Sequence, residues 1–465
     1  MRGPGQASKY TLLFFIILLA FLLRLILLAY FWNKPLKIVD ETHYQAIAEN
    51  ILEHHEFSLH TGSPTSMRPP LYPAFLSAIY FLTGGKHINA ARIAQIILSL
   101  GLVLMVYLLG QKVFNEKVGL MAALIIAIYP SFLFFTHFLL TEVLFTFLFS
   151  LFIWFFLVFL ETQKSRDIWW TGISLGLGAL TRSILYPFIA IVLLYLFIAT
   201  RDTLRRKVTW MILFIAGCLV TIGPWAVRNT LLYKTFVPVD TMGGFNLFMG
   251  NYEHTPLNRA WAAVDLTGDK AWYYGHEKTL TGMNEAQKQK WCARMAKEFI
   301  LSHKLLTLKR DLVKAANFWG LEREIIGGII SGFYPGLDYE ALVVILTLLI
   351  FSFYVAVMIL AIFGLLSNLG QKRRDFIFLL LLLGYFTGIH AIVFGHSRYH
   401  LPLIPLLIVL ASWSLMNFRL ILEKRNRWSF KVAALVSITF ISLWVREIIF
   451  IDGARYLQHL MGLLF

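Results

Sequence analysis

The sequence predicts an all-α polytopic membrane protein with about eleven transmembrane helices. Three observations predict it. First, 58% of the 465 residues are hydrophobic and only 15% are charged, against about 25% charged in an average soluble domain. Second, long apolar runs recur along the chain, each near the roughly 20 residues a helix needs to cross a bilayer. Third, positive charge gathers in the short polar breaks between those runs. A water-soluble fold cannot hide this much apolar surface, and a mean hydropathy of +0.68 with 40 Phe is the reverse of a disordered composition.

The candidate spans are 10–32, 89–110, 118–136, 141–160, 168–181, 184–200, 208–225, 341–366, 376–394, 399–418 and 431–449. The first run is longer than a signal-peptide core and no small-residue cleavage pattern follows it, so it reads as a retained helix. The fifth is short. Its Gly172, Gly176 and Gly178 stand at small-residue packing spacing, which predicts burial among neighbouring helices. No internal repeat is visible, and residues 1–465 read as one transmembrane domain.

The net charge of +16 would suit nucleic acid, but its placement excludes that. The breaks at 2–9, 111–117, 161–168, 201–207, 367–375 and 419–431 hold 18 Lys and Arg against six acids, which accounts for twelve of the sixteen charges. Short positive loops mark the cytoplasmic side of a membrane protein. With the N-terminus in the cytoplasm, simple alternation puts all six inside. The outside then receives 33–88 and the nearly neutral 226–340, with 14 basic and 12 acidic residues. Two cysteines, Cys218 in an apolar run and Cys292 in a polar stretch, exclude a disulfide framework and a zinc ribbon.

The two large outer segments are where chemistry can sit. In the first, Thr42 to Phe57 reads as an amphipathic helix along the membrane surface. Tyr44, Ile47, Ala48, Ile51 and Leu52 share one face, and Gln45, Glu49 and Glu53 the other. In the second, helical stretches near 284–300 and 303–318 predict a folded cap.

Ionisable groups near membrane depth are functional candidates by default. Asp40 and Glu41 follow the first span. The bland reading makes Asp40 an N-cap; the sharper one makes the pair a base toward a hydroxyl. Glu142 stands between two long apolar runs, where the helix macrodipole alone favours an acid. Arg182, in GALTR, and Arg398, in GHSRYH, run against the positive-inside bias. They are either snorkelling side chains or a bidentate phosphate grip. Arg68, in SMRPPLYP, and Arg228, in GPWAVRN, are placed similarly, and Arg24 lies inside the first span. His43, His54, His55, His60, His137, His396 and His400 all fall outside, but they form no tight metal-ligand motif. There is no Walker motif and no Ser-His-Asp signature.

Taken in order, the acidic pair, RPPLYP, LLTEVLFTF, ALTRSILYPF, GPWAVRNTLLYKTFVPVDTMGGFNLFMGN and SRYHLPLIP resemble the GT-C superfamily of membrane glycosyltransferases. Within it they are similar to bacterial protein O-mannosyltransferase-like proteins and lipid A aminoarabinose and galacturonic acid transferases. The resemblance spans about residues 10–410; residues 252–340 and the tail after 420 have no counterpart in it. It implies an inverting glycosyltransferase in the bacterial inner membrane, multi-pass and N-terminus inside, with a polyprenyl-phosphate sugar donor and an outer active site. The acceptor is a lipid, a glycan or a protein; membrane lipids surround the chain and nucleic acid has no part. By motif, Asp40, Glu41 and Glu142 match the family's catalytic acids. Arg68 matches a basic position near the lipid phosphate, and Arg398 with Tyr399 the late Arg-Tyr motif. Arg182 joins the donor-phosphate set as an outer arginine. Some relatives bind a divalent metal; its ligands are not evident in this sequence, so the resemblance leaves a divalent metal open and assigns no other cofactor. The competing readings are a lipid-linked glycan transporter or flippase, for which repeats are lacking, and a polysaccharide polymerase or ligase.

Overall fold

A computed structural model describes residues 4–200, 202–271, 276–369 and 373–451. Parts of the expected basic loops (2–3, 201 and 370–372) and the tail beyond 451 lie outside them. The described residues are helical, with no β-strand. In chain order the helices are α1 (Pro4–Phe31), α2 (Val39–His54), α3 (Leu71–Leu82), α4 (Ile88–Val113), α5 (Glu116–Ala127), α6 (Pro130–Phe135) and α7 (Glu142–Thr162). Then come α8 (Ser165–Thr181), α9 (Phe188–Ala199), α10 (Leu204–Tyr233), α11 (Gly243–Met249), α12 (Glu277–Leu280), α13 (Glu285–Ser302) and α14 (Lys304–Phe318). The chain closes with α15 (Glu324–Ile330), α16 (Glu340–Asn368), α17 (Arg373–Ile392), α18 (Ile404–Met416), α19 (Phe418–Glu423) and α20 (Trp428–Arg446).

Eight helices among the described residues are long and apolar enough to cross a bilayer: those built on α1, α4, α7, α10, α16, α17, α18 and α20. The other three expected spans are shorter. Run 118–136 is divided into α5 and α6, because Pro130 cannot donate to the ladder of α5 and instead opens a new helix. Run 168–181 is the 17-residue α8. Run 184–200 starts as a 3-10 turn, Ser183–Leu185, and continues as the 12-residue α9.

Small residues and aromatic stripes set the packing. A Cβ on Gly172 would run into the Phe214 carbonyl of α10, and one on Gly217 would sit 2.7 Å from the Trp169 carbonyl of α8. The two backbones therefore touch, as the glycine spacing predicted. Along α7, Phe145, Phe149, Phe152 and Phe156 recur every three to four residues on one buried face, and Phe149 and Phe152 meet Phe386 and Phe378 of α17. Arg24 is fully buried without an acid. Its guanidinium donates to Ser99 Oγ at 2.8 Å and to the Ala20 and Ala127 carbonyls, tying α1 to α4 and α5.

The amphipathic helix of the first outer segment forms, as α2, but its apolar face is not laid on lipid. Tyr44, Ile47 and Ala48 are buried, and Tyr44 packs edge-on against Tyr72 of α3, 5.1 Å between ring centres. The short α3, not the membrane surface, supplies its cover.

Gly217→Val tests the α8–α10 contact. Its added methyls meet backbone, which cannot rotate away, so overpacking is expected to cost about 1–3 kcal/mol despite the better helix propensity of a side chain. A thermal melt of the detergent-solubilised protein checks it; an unchanged midpoint would show that the two helices can part without loss.

Candidate active site

The end of α1, the starts of α4 and α7 and the end of α8 all lie at one end of the bundle, while the connections 113–116, 162–165 and 199–204 lie at the other. Charged side chains converge at the first of these. Glu142 opens α7 and is fully buried. Its Oε1 accepts from Arg398 Nε at 2.5 Å and from Arg182 Nη2 at 3.0 Å. Its Oε2, like Thr146 Oγ1 one turn along α7, is buried without a hydrogen-bond partner.

Arg182 is the extended residue that stops α8, and its guanidinium lies 5.4 Å from the Tyr399 ring centre. Arg398 sits in the 3-10 turn Ser397–Leu403, where His396 Nδ1 accepts its backbone N–H at 3.1 Å. From there Arg398 Nη1 reaches Asp40 Oδ2 at 3.5 Å and Glu324 Oε1 at 3.9 Å. Arg68 Nη2 donates to Asp40 Oδ1 at 2.7 Å and lies 3.0 Å from His43 Nδ1.

Asp40 is not the cap of α2. That helix opens at Val39 with Ile38 before it, and the acid that serves its start is Glu41. Glu41 Oε2 accepts from the Lys37 and Ile38 N–H groups at 3.2 and 3.1 Å, and Oε1 from the Leu139 N–H at 2.9 Å. Burial pushes the Glu41 carboxyl up, and those three N–H bonds partly offset it. For Asp40 burial also acts upward, but the Arg68, Arg398 and Arg182 charges outweigh it and hold the carboxyl below the usual range. The acidic pair thus divides: Glu41 joins α2 to the 137–140 turn, and Asp40 faces the arginines.

The loop carrying Arg68 is pinned from behind. Glu285 of α13 accepts from Thr65 Oγ1, the Ser66 N–H, Tyr233 Oη and Thr241 Oγ1. Arg228 donates to the Thr65 carbonyl and Ser66 Oγ, both at 2.8 Å, so it is a brace for this loop and does not meet the arginine cluster. The half-buried Asp240 accepts from the Met242 N–H at 3.1 Å and bonds Ser183, fastening the TMGG turn to the residue after Arg182.

A cavity of about 620 Å³ opens beside Arg398 and Tyr399, lined also by Arg259, Trp261, Arg323, Glu324, Tyr334 and His396. Sequence reasoning missed Glu324, Arg323, Arg259 and Asp240. The one visible signal for the first two was a charged triplet, Glu322-Arg323-Glu324, set between Phe318-Trp319 and Ile325-Ile326. Burial pushes the Glu324 carboxyl up, with Arg398 partly opposing it. Of the other outer histidines, His137 stacks on Phe31 at 5.3 Å, and His400 is buried between Tyr354 and Trp319 with Nε2 3.3 Å from Glu322. Among the described residues no three His, Cys, Asp or Glu side chains come together as metal ligands. The oxygens of Asp40 are turned on Arg68 and Arg398.

Residues 67–227 match the sequence model of the dolichyl-phosphate-mannose-protein mannosyltransferase family. That segment contains Arg68, Glu142 and Arg182; Asp40 and Arg398 lie outside it. A comparison with curated proteins finds no match. The structure is similar to the Archaeoglobus fulgidus oligosaccharyltransferase in its apo form, with 15% identity and a TM-score of 0.54 over 94% of this chain and 55% of that one. It is similar to the same organism's AglB in complex with an inhibitory peptide and a dolichol-phosphate, at 14% identity and TM-score 0.53 over 94% and 55%. This is the GT-C fold. ArnT from Cupriavidus metallidurans bound to undecaprenyl phosphate aligns over 89% of this chain and 80% of its own, with 13% identity and a TM-score of 0.43. The chain spans about 55% of the length of the archaeal oligosaccharyltransferase. Its long apolar helices make this a multi-pass membrane protein.

Within this GT-C chain the division of the acidic pair is testable by stability alone. Glu41→Gln has one acceptor oxygen where two are used, so buried N–H groups lose partners at about 1–3 kcal/mol. Asp40→Asn loses no helix cap. The melting temperature of Glu41→Gln should fall well below that of Asp40→Asn; equal midpoints would return the capping role to Asp40.

Proposed function

We propose that the protein is an inverting glycosyltransferase that moves a sugar from a polyprenyl-phosphate donor to a hydroxyl acceptor. The acceptor is a lipid, glycan or protein on the extracytoplasmic face of a bacterial inner membrane. The observation that carries this reading is the placement of Asp40 against Arg68 and Arg398, with Arg182 and Arg398 sharing Glu142 beside it. Three guanidiniums from three separate elements aimed at one place, without a nucleotide-binding motif, fit a lipid-borne phosphate.

In this reading Arg68, Arg182 and Arg398 hold the donor phosphate, and the Tyr399 ring backs Arg182. The acceptor oxygen attacks the anomeric carbon from the side opposite the phosphate, which inverts that carbon. Asp40 takes the hydroxyl proton as the new C–O bond forms. The old C–O bond breaks toward phosphate, and the arginines stabilise the charge that collects on the departing lipid phosphate. The electron pair of the broken bond stays on phosphate oxygen, and the proton on Asp40 passes on to water or to that phosphate. Glu142 is a positioning residue that spaces Arg182 from Arg398, and Glu41 holds the start of α2. Segment 33–88 is the catalytic loop, and 226–340 forms the cap over it.

Asp40→Asn should fold normally and lose about 10²–10⁴-fold in transfer rate, measured with purified protein and lipid-linked sugar. Substantial transfer by a stable Asp40→Asn protein would remove Asp40 as the base. Arg182→Ala should weaken retention of polyprenyl phosphate more than it lowers the melting temperature.

The pH dependence has a definite sign. Because the arginines hold the Asp40 carboxyl below its usual range, it is ionised at neutral pH and becomes protonated only in more acidic solution. The acid limb of the kcat/KM profile should therefore lie below the ordinary aspartate value of about 3.9. Arg68→Gln removes the largest charge that lowers it, so the limb should move to higher pH. A limb that stays put would mean that Asp40 is not the group titrating.

A further inference from the structure

Helix α14 is built inside out. Thr307, Arg310, Lys314 and Asn317 recur at the helical repeat and are buried. Leu305, Leu308 and Leu312 recur on the opposite face and are 85%, 58% and 67% exposed. Leu301, the residue before the last of α13, continues the apolar line at 56% exposed. In a water-soluble amphipathic helix the faces are reversed.

Three residues of the polar face are held by hydrogen bonds, while Thr307 Oγ1 is buried without one. Arg310 donates to the carbonyls of Tyr252, Glu253 and Thr255. Lys314 Nζ bonds Asn251 Oδ1 at 2.9 Å and the Ile392 carbonyl at 3.1 Å, and Asn317 bonds the Asn258 carbonyl. These bonds fix the rotation of the helix, so the leucines cannot be turned inward.

We infer that this leucine face is immersed in the lipid of the outer leaflet, with α14 serving as an interfacial anchor that joins the cap to the bilayer. Two observations select lipid as the occupant. The first is continuity with a spanning helix. Lys314 meets Ile392, the last residue of α17; Phe318 stacks on His390, and Trp319 Nε1 donates to Thr387 Oγ1 at 3.0 Å. The leucines thus leave the bundle where α17 ends, and Ile392 is itself 48% exposed. The second is charge: Lys304 and Lys309 are exposed on α14 beside the leucines. An apolar stripe bordered by lysines is the pattern of a helix lying at the headgroup boundary, where ammonium groups reach lipid phosphates. Arg323 and Glu324 follow α14 within six residues and line the cavity, so the anchor would hold the cavity wall close to the lipid surface.

The test is spin-label accessibility in the full-length protein, in vesicles of phosphatidylethanolamine and phosphatidylglycerol. Leu305→Cys and Leu312→Cys are each labelled with a nitroxide, while Cys218 and Cys292 are buried and the unsubstituted protein gives the background. Both positions are exposed, so neither substitution disturbs packing. Collisions with dissolved oxygen, which concentrates in lipid, should dominate those with a water-soluble nickel chelate at both sites. Nickel-dominated collisions would overturn the inference by placing the face in water. Shielding from both probes, with dipolar broadening between labels, would overturn it in favour of a second copy of this chain.

Discussion

Burying the Glu142 carboxylate is the constraint on which the outer end of the bundle depends. A carboxylate at zero exposure is prohibitively costly unless cations and hydrogen bonds meet it. Two arginines do, and neither comes from α7. Arg182 must therefore be delivered by the end of α8 and Arg398 by the turn before α18. Each delivery has its own support: the Tyr399 ring behind Arg182 and the His396 ring accepting the Arg398 N–H. Once Arg398 is fixed, its second nitrogen faces Asp40 and Glu324. One buried acid thus sets the positions of two arginines and, through Arg398, meets two more acids.

Much of this was legible in the sequence, for a simple reason. Membrane spans announce themselves by length, and polar groups between spans stand out against an apolar background. Asp40, Glu142, Arg182 and Arg398 were visible that way. Their convergence was not, because it depends on which helix ends meet. The count of spans was softer. A run such as 118–136 carries the hydropathy of one span, but Pro130 divides it, and hydropathy does not see hydrogen bonds.

The residues whose partners the sequence does not show share a cause as well. Asp40 had the right residue type and place for a cap, yet the cap bonds go to Glu41, one position later on the helix, since a step of about 100° turns the side chain toward Leu139. Arg24 and Arg228 looked like their outer neighbours, but each found backbone carbonyls within reach. An arginine bonded to carbonyls and one bonded to carboxylates are the same letter. Glu324 came from the segment with least signal. Only folding the cap back over the bundle brings it to the cavity.

The pairing of acids and arginines also bears on the proposed reaction. Without donor, Asp40 is held by Arg68 and Arg398 and is a weak base, since what lowers its affinity for a proton also lowers its power to remove one. A phosphodiester arriving among the arginines competes for their N–H groups. Each guanidinium that turns toward phosphate leaves Asp40 less stabilised as an anion, and its basicity rises. Bond breaking strengthens the trend, because charge builds on the phosphate as the sugar departs. In the proposed mechanism the base is therefore strongest when the leaving group draws most on the arginines. Glu142 keeps Arg182 and Arg398 from collapsing wholly onto Asp40, and so keeps the exchange reversible. On that proposal the same three guanidiniums restrain the base in the empty site and release it when donor is bound, so acceptor deprotonation waits for the phosphate.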